Sequence, residues 1–200
     1  MLLTTIYVLI KFGGRMAGVY HDRWAKQNDV FVKYFQPGAL ALGGQGDTFD
    51  TLHWRVRNGE VPTDLNPKIW WIHIGGNNMK FGCDPNAITV GIMRIVEEIR
   101  SRKPNAIIVV NALLPPNDLN DDKWDKMNKV NNGLKRSIDE VNDENVYNFS
   151  AFRVFYDTSI HNVRRNLHFG SVHLNSNCYE LWAKQFVKWT TEKLDIDLSE

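Results

Sequence analysis

The run Ile69-Trp70-Trp71-Ile72-His73-Ile74 stops abruptly at Gly75-Gly76-Asn77-Asn78. An apolar run this short, closed by glycine, reads as a strand covered on both faces. Such strands belong to open α/β sheets, which bind ligands just beyond the carboxyl ends of their strands. Glycines there let the main chain come close to a ligand. An asparagine carboxamide offers two N–H donors and no charge. Donors of that kind suit a developing oxyanion. Gly-Gly-Asn-Asn also fits an ordinary turn, so the remainder of the chain has to decide between the two.

Elsewhere the chain repeats this strand-then-helix pattern. Ile6–Ile10 reads as a first buried strand, followed by Gly13-Gly14 and a helix between Met16 and Phe35. Ala39–Leu42 is a second strand, and Asp47 or Thr48 caps a helix that runs through Asn58 and stops at Gly59. Asp84-Pro85 opens a helix striped by Ile88, Ile92, Ile95, Val96 and Ile99. Ala106–Val110 is a strand covered on both faces, and Trp124, Met127, Val130, Leu134, Ile138 and Val141 stripe the helix after it, with Gly133 as a mild interruption. Asn145–Phe149 is the fifth strand. A last helix from about Asn177 carries Tyr179, Trp182, Phe186 and Val187. Between them, Ser150 to His173 shows no period, and a segment that long inside a compact domain is usually functional. This alternation predicts one domain over residues 1–200, three-layer α/β/α, around a five-stranded parallel sheet.

Two hundred residues with 43% apolar and 24% charged side chains suit a globular domain with a substantial core. A net charge of +1 with scattered Lys and Arg argues against a nucleic-acid partner. Leu2–Ile10 is too short to span a membrane, and it lacks the flanks of a convincing signal peptide. The compartment is left open. Cys83, Cys178 and the six histidines show no ligand spacing, so no metal and no cofactor is expected. The glycines from Gly43 to Gly46 lack the Gly-Lys-Ser/Thr of a phosphate loop. His73 reads as core, and Trp54, Trp124 and Trp182 as helix packing.

Several blocks together resemble one family. Leu42-Gly43-Gly44-Gln45-Gly46-Asp47-Thr48, with Trp54-Arg55-Val56-Arg57-Asn58-Gly59-Glu60, is similar to the second block of the SGNH (GDSL) hydrolases, above all their platelet-activating-factor acetylhydrolase catalytic-subunit branch. Gly75-Gly76-Asn77-Asn78 resembles the third block, and His173-Leu174-Asn175 through Tyr179 the last, with Cys178 where glycine is usual. The resemblance implies a flavodoxin-like SGNH hydrolase fold and an ester-hydrolase site without cofactor. It assigns Asn77 and Gly46, or less well Gly43, to the oxyanion pocket, and His173 to the base.

Two positions depart from that pattern. Arg15 stands at the nucleophile position, and no serine occurs before Ser101. Thr4 and Thr5 are set aside because they precede the first strand. Gly170 stands where the orienting aspartate belongs, three residues before His173; Asp157 and Asp22 are the alternative carboxylates. Loss of a triad nucleophile alone costs on the order of a millionfold in rate, and a guanidinium stays protonated. The expectation is therefore a catalytically degenerate esterase-like protein. It keeps a pocket for a small anion or an acyl or carbohydrate ligand, with Arg15 as an added cation, or it serves as a homodimer or structural subunit of a larger assembly. The alternative is an active esterase or acetylhydrolase with a rearranged triad using His173.

Overall fold

The computed structural model describes residues 7–10, 25–35, 39–43, 46–116, 118–157, 159, 162–164, 168–169, 173–196 and 198, without the side chains of 7–10, 25–28, 162, 168–169 and 173–174. Five strands form the main sheet: β1 (Tyr7–Ile10), β2 (Ala39–Leu42), β3 (Ile69–Ile72), β4 (Ile107–Asn111) and β5 (Val146–Phe149). Their order across the sheet is β2-β1-β3-β4-β5. One face carries α2 (Phe49–Arg55), α4 (Pro85–Arg102) and α5 (Asp121–Val141); the other carries α1 (Ala25–Phe35) and α7 (Ser176–Leu194). The three-layer expectation holds.

A period of two runs inside the continuous apolar strands. Trp70 and Ile72 face α2, α4 and α5, whereas Ile69 and Trp71 face α1 and α7. β4 repeats this, with Ile108 and Val110 on the first side and Val109 on the second. Both faces are dry, so neither shows a polar alternation.

The expectation of a wholly parallel sheet is corrected at β1. β3, β4 and β5 run parallel, but β1 is antiparallel to both β2 and β3. Tyr7 pairs with Leu42 and Ile72, and Ile10 with Ala39 and Ile69. β1 therefore ends at the amino edge of β3, opposite Gly75 to Asn77. A strand covered on both faces is apolar in either direction, so its composition carries burial and not polarity.

Helix boundaries follow local chemistry. Asp84 accepts from the main-chain N–H groups of Asn86 and Ala87, with Pro85 in the first turn. Gly59, at φ +113°, closes a π-type turn over Val56–Glu60 that follows α2. The segment after β5 holds α6 (Phe152–Phe155) and two short antiparallel pairs, β6 (Tyr156–Asp157) with β7 (Asn162–Val163), and β8 (His168–Phe169) with β9 (His173–Leu174).

Two helical glycines set interhelical distance. A Cβ on Gly133 of α5 would lie 2.7 Å from Thr89 Oγ1 of α4. On Gly91 of α4 it would lie 2.3 Å from the Phe49 ring, at the start of α2. Gly91→Ala should therefore destabilise the fold by about 1–3 kcal/mol, the range for an overfilled core. Urea denaturation reads this; an unchanged midpoint would mean that α2 shifts freely.

Candidate functional site

The carboxyl ends of β2 and β3 lead into the two glycine-rich segments. Beyond Leu42 the chain passes Gly43 to a turn at Gly46, where φ is +86°, and on to Asp47 and Thr48. Thr48 caps α2 in a reciprocal box with Thr51. Beyond Ile72 the chain passes His73 and Ile74 to Gly75, at φ +106°. A Cβ on Gly75 would lie 3.0 Å from Ile88 and 3.1 Å from Ile92, so both φ and space require glycine there. The next turn is α3 (Gly76–Lys80), which buries Asn77 and Asn78 to 1% exposure each.

These two asparagines tie the segments together. Asn77 Nδ2 donates to the main-chain carbonyl of Asp47 at 2.8 Å. The Phe49 N–H donates to Asn78 Oδ1 at 2.9 Å. A carboxamide is planar, so the hydrogen given to Asp47 fixes the direction of the other.

Asp47 is itself held. The residue is buried, at 6% exposure. Arg55 Nη1 lies 2.6 Å from both of its oxygens, and Thr51 Oγ1 donates to Oδ1 at 3.0 Å. Arg55 Nε donates to Glu60 Oε2 at 2.8 Å. Arg55, the last residue of α2, thus reaches back to Asp47, which lies just before the Thr48 cap.

A second buried polar group lies across β3 and β4. Asn111, at 1% exposure, closes β4. Its Oδ1 accepts from the indole N–H of Trp71 at 3.2 Å and of Trp182 at 3.0 Å. The ring of His73 meets Trp182 edge-on, centroids 5.2 Å apart. Burial lowers the His73 pKa to about 4, opposed by the main chain of Asn111. Its Nδ1 is buried without a hydrogen-bond partner. This imidazole is neutral and half-buried, just beyond the end of β3.

Asn77 and Gly46 thus belong to joined segments, with Gly43 exposed at the end of β2. Arg15, Gly170 and Asp22 lie outside the described residues. Thr4 and Thr5 also lie outside them. The His173 main chain lies in β9, two residues before Asn175, the cap of α7. Asp157 accepts from the Ser159 N–H and hydroxyl and lies 3.8 Å from Arg164, a local role within its hairpin. Cys178 is fully buried, and burial pushes its thiol pKa up. Trp182 packs as expected and Trp124 meets Phe152, but Trp54 is corrected: it stands 65% exposed on the outer side of α2.

Sequence reading missed the Arg55–Glu60 clasp and the Asn111 hub. A lone asparagine ending an apolar run signals the second. Among the described residues no three of His, Cys, Asp or Glu are placed to hold a metal ion. No described helix is long and apolar enough to cross a membrane.

A model of the GDSL-like lipase/acylhydrolase family matches residues 8–181. The platelet-activating factor acetylhydrolase IB subunit beta homolog of Drosophila melanogaster is 34% identical over 121 residues, which are 58% of this chain and 52% of that protein. The chain spans about half the length of the curated relatives it matches. A lipolytic G-D-S-L family protein from Veillonella parvula has a TM-score of 0.69 at 15% identity, covering 87% of this chain and 92% of that one. An acetyl esterase mutant with acetate ion has a TM-score of 0.63 at 16% identity, covering 80% and 73%.

Proposed function

The chain belongs to the GDSL-like lipase/acylhydrolase family, and from that premise we propose that it retains the family's acyl pocket as a binding site while ester hydrolysis has been lost. The ligand is a small carboxylate such as acetate, or the acyl group of a larger ester or carbohydrate. The observation that carries the reading is the buried Asn77 carboxamide, held by Asp47 at the carboxyl edge of β3. The donor side of an acyl-transfer site is kept, in a chain with no serine before Ser101 and Gly170 in place of the aspartate. The pocket rests on Asn77 and Gly46. Arg15 lies outside the described residues, and the pocket reading does not rest on it.

Acetate is the natural probe, because a structural neighbour of this fold is an acetyl esterase with acetate ion. The test is hydrolysis of a short-chain activated ester by the protein and by His173→Ala, beside an acetate titration that follows the Asn77 side-chain amide by NMR. The expected result is equal background hydrolysis in both proteins and an acetate-dependent shift at Asn77. Turnover by wild type that His173→Ala abolishes would instead establish the alternative, an active esterase with a rearranged triad. Equal background without an acetate shift would sink the pocket.

A further inference from the structure

We infer that Arg55 is a positioning residue, which sets the direction of the Asn77 carboxamide through the Asp47 main chain. This inference rests on the pocket reading above. Three contacts form the relay. Glu60 Oε2 receives Arg55 Nε at 2.8 Å, Arg55 Nη1 grips both Asp47 oxygens at 2.6 Å, and the Asp47 carbonyl receives Asn77 Nδ2 at 2.8 Å.

Energetics favour a geometric role. The Asp47 side chain is only 7% exposed, that of Glu60 17% and that of Arg55 25%. Taking such charges from water offsets most of their attraction, so a buried ion cluster is a poor source of net stability. What it supplies is direction, because a guanidinium is a rigid planar fork that meets a carboxylate in few geometries. Thr51 and the Thr48 capping box hold the same turn from the helix side. The Asp47 carbonyl is therefore anchored by its own side chain before it meets Asn77. On the far side, the Phe49 bond to Asn78 fixes the adjacent asparagine to the same helix start. With the carboxamide held by Asp47, its plane is fixed, as a preorganised donor group requires.

The test uses the full chain, with isotope-labelled side-chain amides. Arg55→Lys keeps the charge and loses the fork. It should remain folded, move the Asn77 side-chain signals, speed exchange of their hydrogens by about five- to tenfold, the worth of one ordinary hydrogen bond, and weaken acetate binding. Unchanged Asn77 signals and exchange in folded Arg55→Lys would overturn the inference. Should that variant fail to fold, Glu60→Ala, which releases Arg55 Nε, decides: it should also move the Asn77 side-chain signals, and unchanged signals in the folded variant would overturn the inference. An Asn77 signal that responds to Arg55→Lys but never to acetate separates the two readings, since the relay would stand and the pocket would fall.

Discussion

Asn111→Leu should lower the stability of the fold by about 2–6 kcal/mol, because it strands two buried indole N–H groups at about 1–3 kcal/mol each. Trp71 and Trp182 both donate to Asn111 Oδ1 inside the layer between the sheet and α7. Neither indole can turn to water: Trp71 is 4% exposed and stacked on Phe186 with ring centroids 3.6 Å apart, and Trp182 is also 4% exposed. Leucine matches the shape of asparagine well, so the loss comes from hydrogen bonding and not from a cavity. For a chain of this length the melting temperature should fall by about 2–4 °C per kcal/mol. A melting temperature within one degree of wild type would mean that the indoles find other acceptors. A double-mutant cycle with Trp182→Phe separates the two bonds, since in that background Asn111→Leu should cost about half as much.

Acid should weaken the fold through His73 well before its carboxylates titrate. The His73 pKa lies at about 4 in the folded chain, against an ordinary value of 6.5. The sign follows from proton uptake. Above pH 6.5 both states are neutral at this group, and its contribution is complete. As pH falls from 6.5 to 4 the unfolded chain takes a proton that the folded chain refuses, so stability drops. At about 1.4 kcal/mol per unit the loss approaches about 3 kcal/mol, and below pH 4 it levels off. The carboxylates held down by their partners act lower: Asp143 beside the Arg100 guanidinium, and Glu180 beside Lys33, the Tyr34 hydroxyl and Lys184, contribute stability that is lost as pH falls below the ordinary carboxylate range. Urea titrations of wild type and His73→Phe at pH 7.5, 6 and 5 isolate the histidine. The wild type should lose stability across that series faster than the variant, and parallel losses would refute a neutral His73 in the folded chain.

The site was legible in part. Asn77 and Gly46 stand in short glycine-bounded segments, and their place at strand ends follows from the apolar runs before them. Arg55 and Glu60 lie in the same quoted block, but nothing local says that they close on Asp47. His73 was recognisable as core from its apolar neighbours, although its edge-on contact with Trp182 was not. Trp54 sits four residues before Asn58 and looks like helix packing, yet the packed side of α2 is the Phe49, Leu52 and Val56 side.

What the sequence determined by itself was everything that acts within a few residues. Thr48, Asp84-Pro85 and Gly59 placed helix ends through hydrogen bonds and dihedral limits inside one turn. Apolar periodicity placed the strands and the buried helix faces, because a residue's side of its element depends only on its own spacing. The tertiary structure alone decided the direction of β1, the meeting of Asn77 with Asp47 across thirty residues, and the convergence of Trp71 and Trp182 on Asn111 across forty and seventy-one. A strand buried on both faces looks the same in either direction. A long-range hydrogen bond is written in no single segment, since its two ends become neighbours only when the layers have packed.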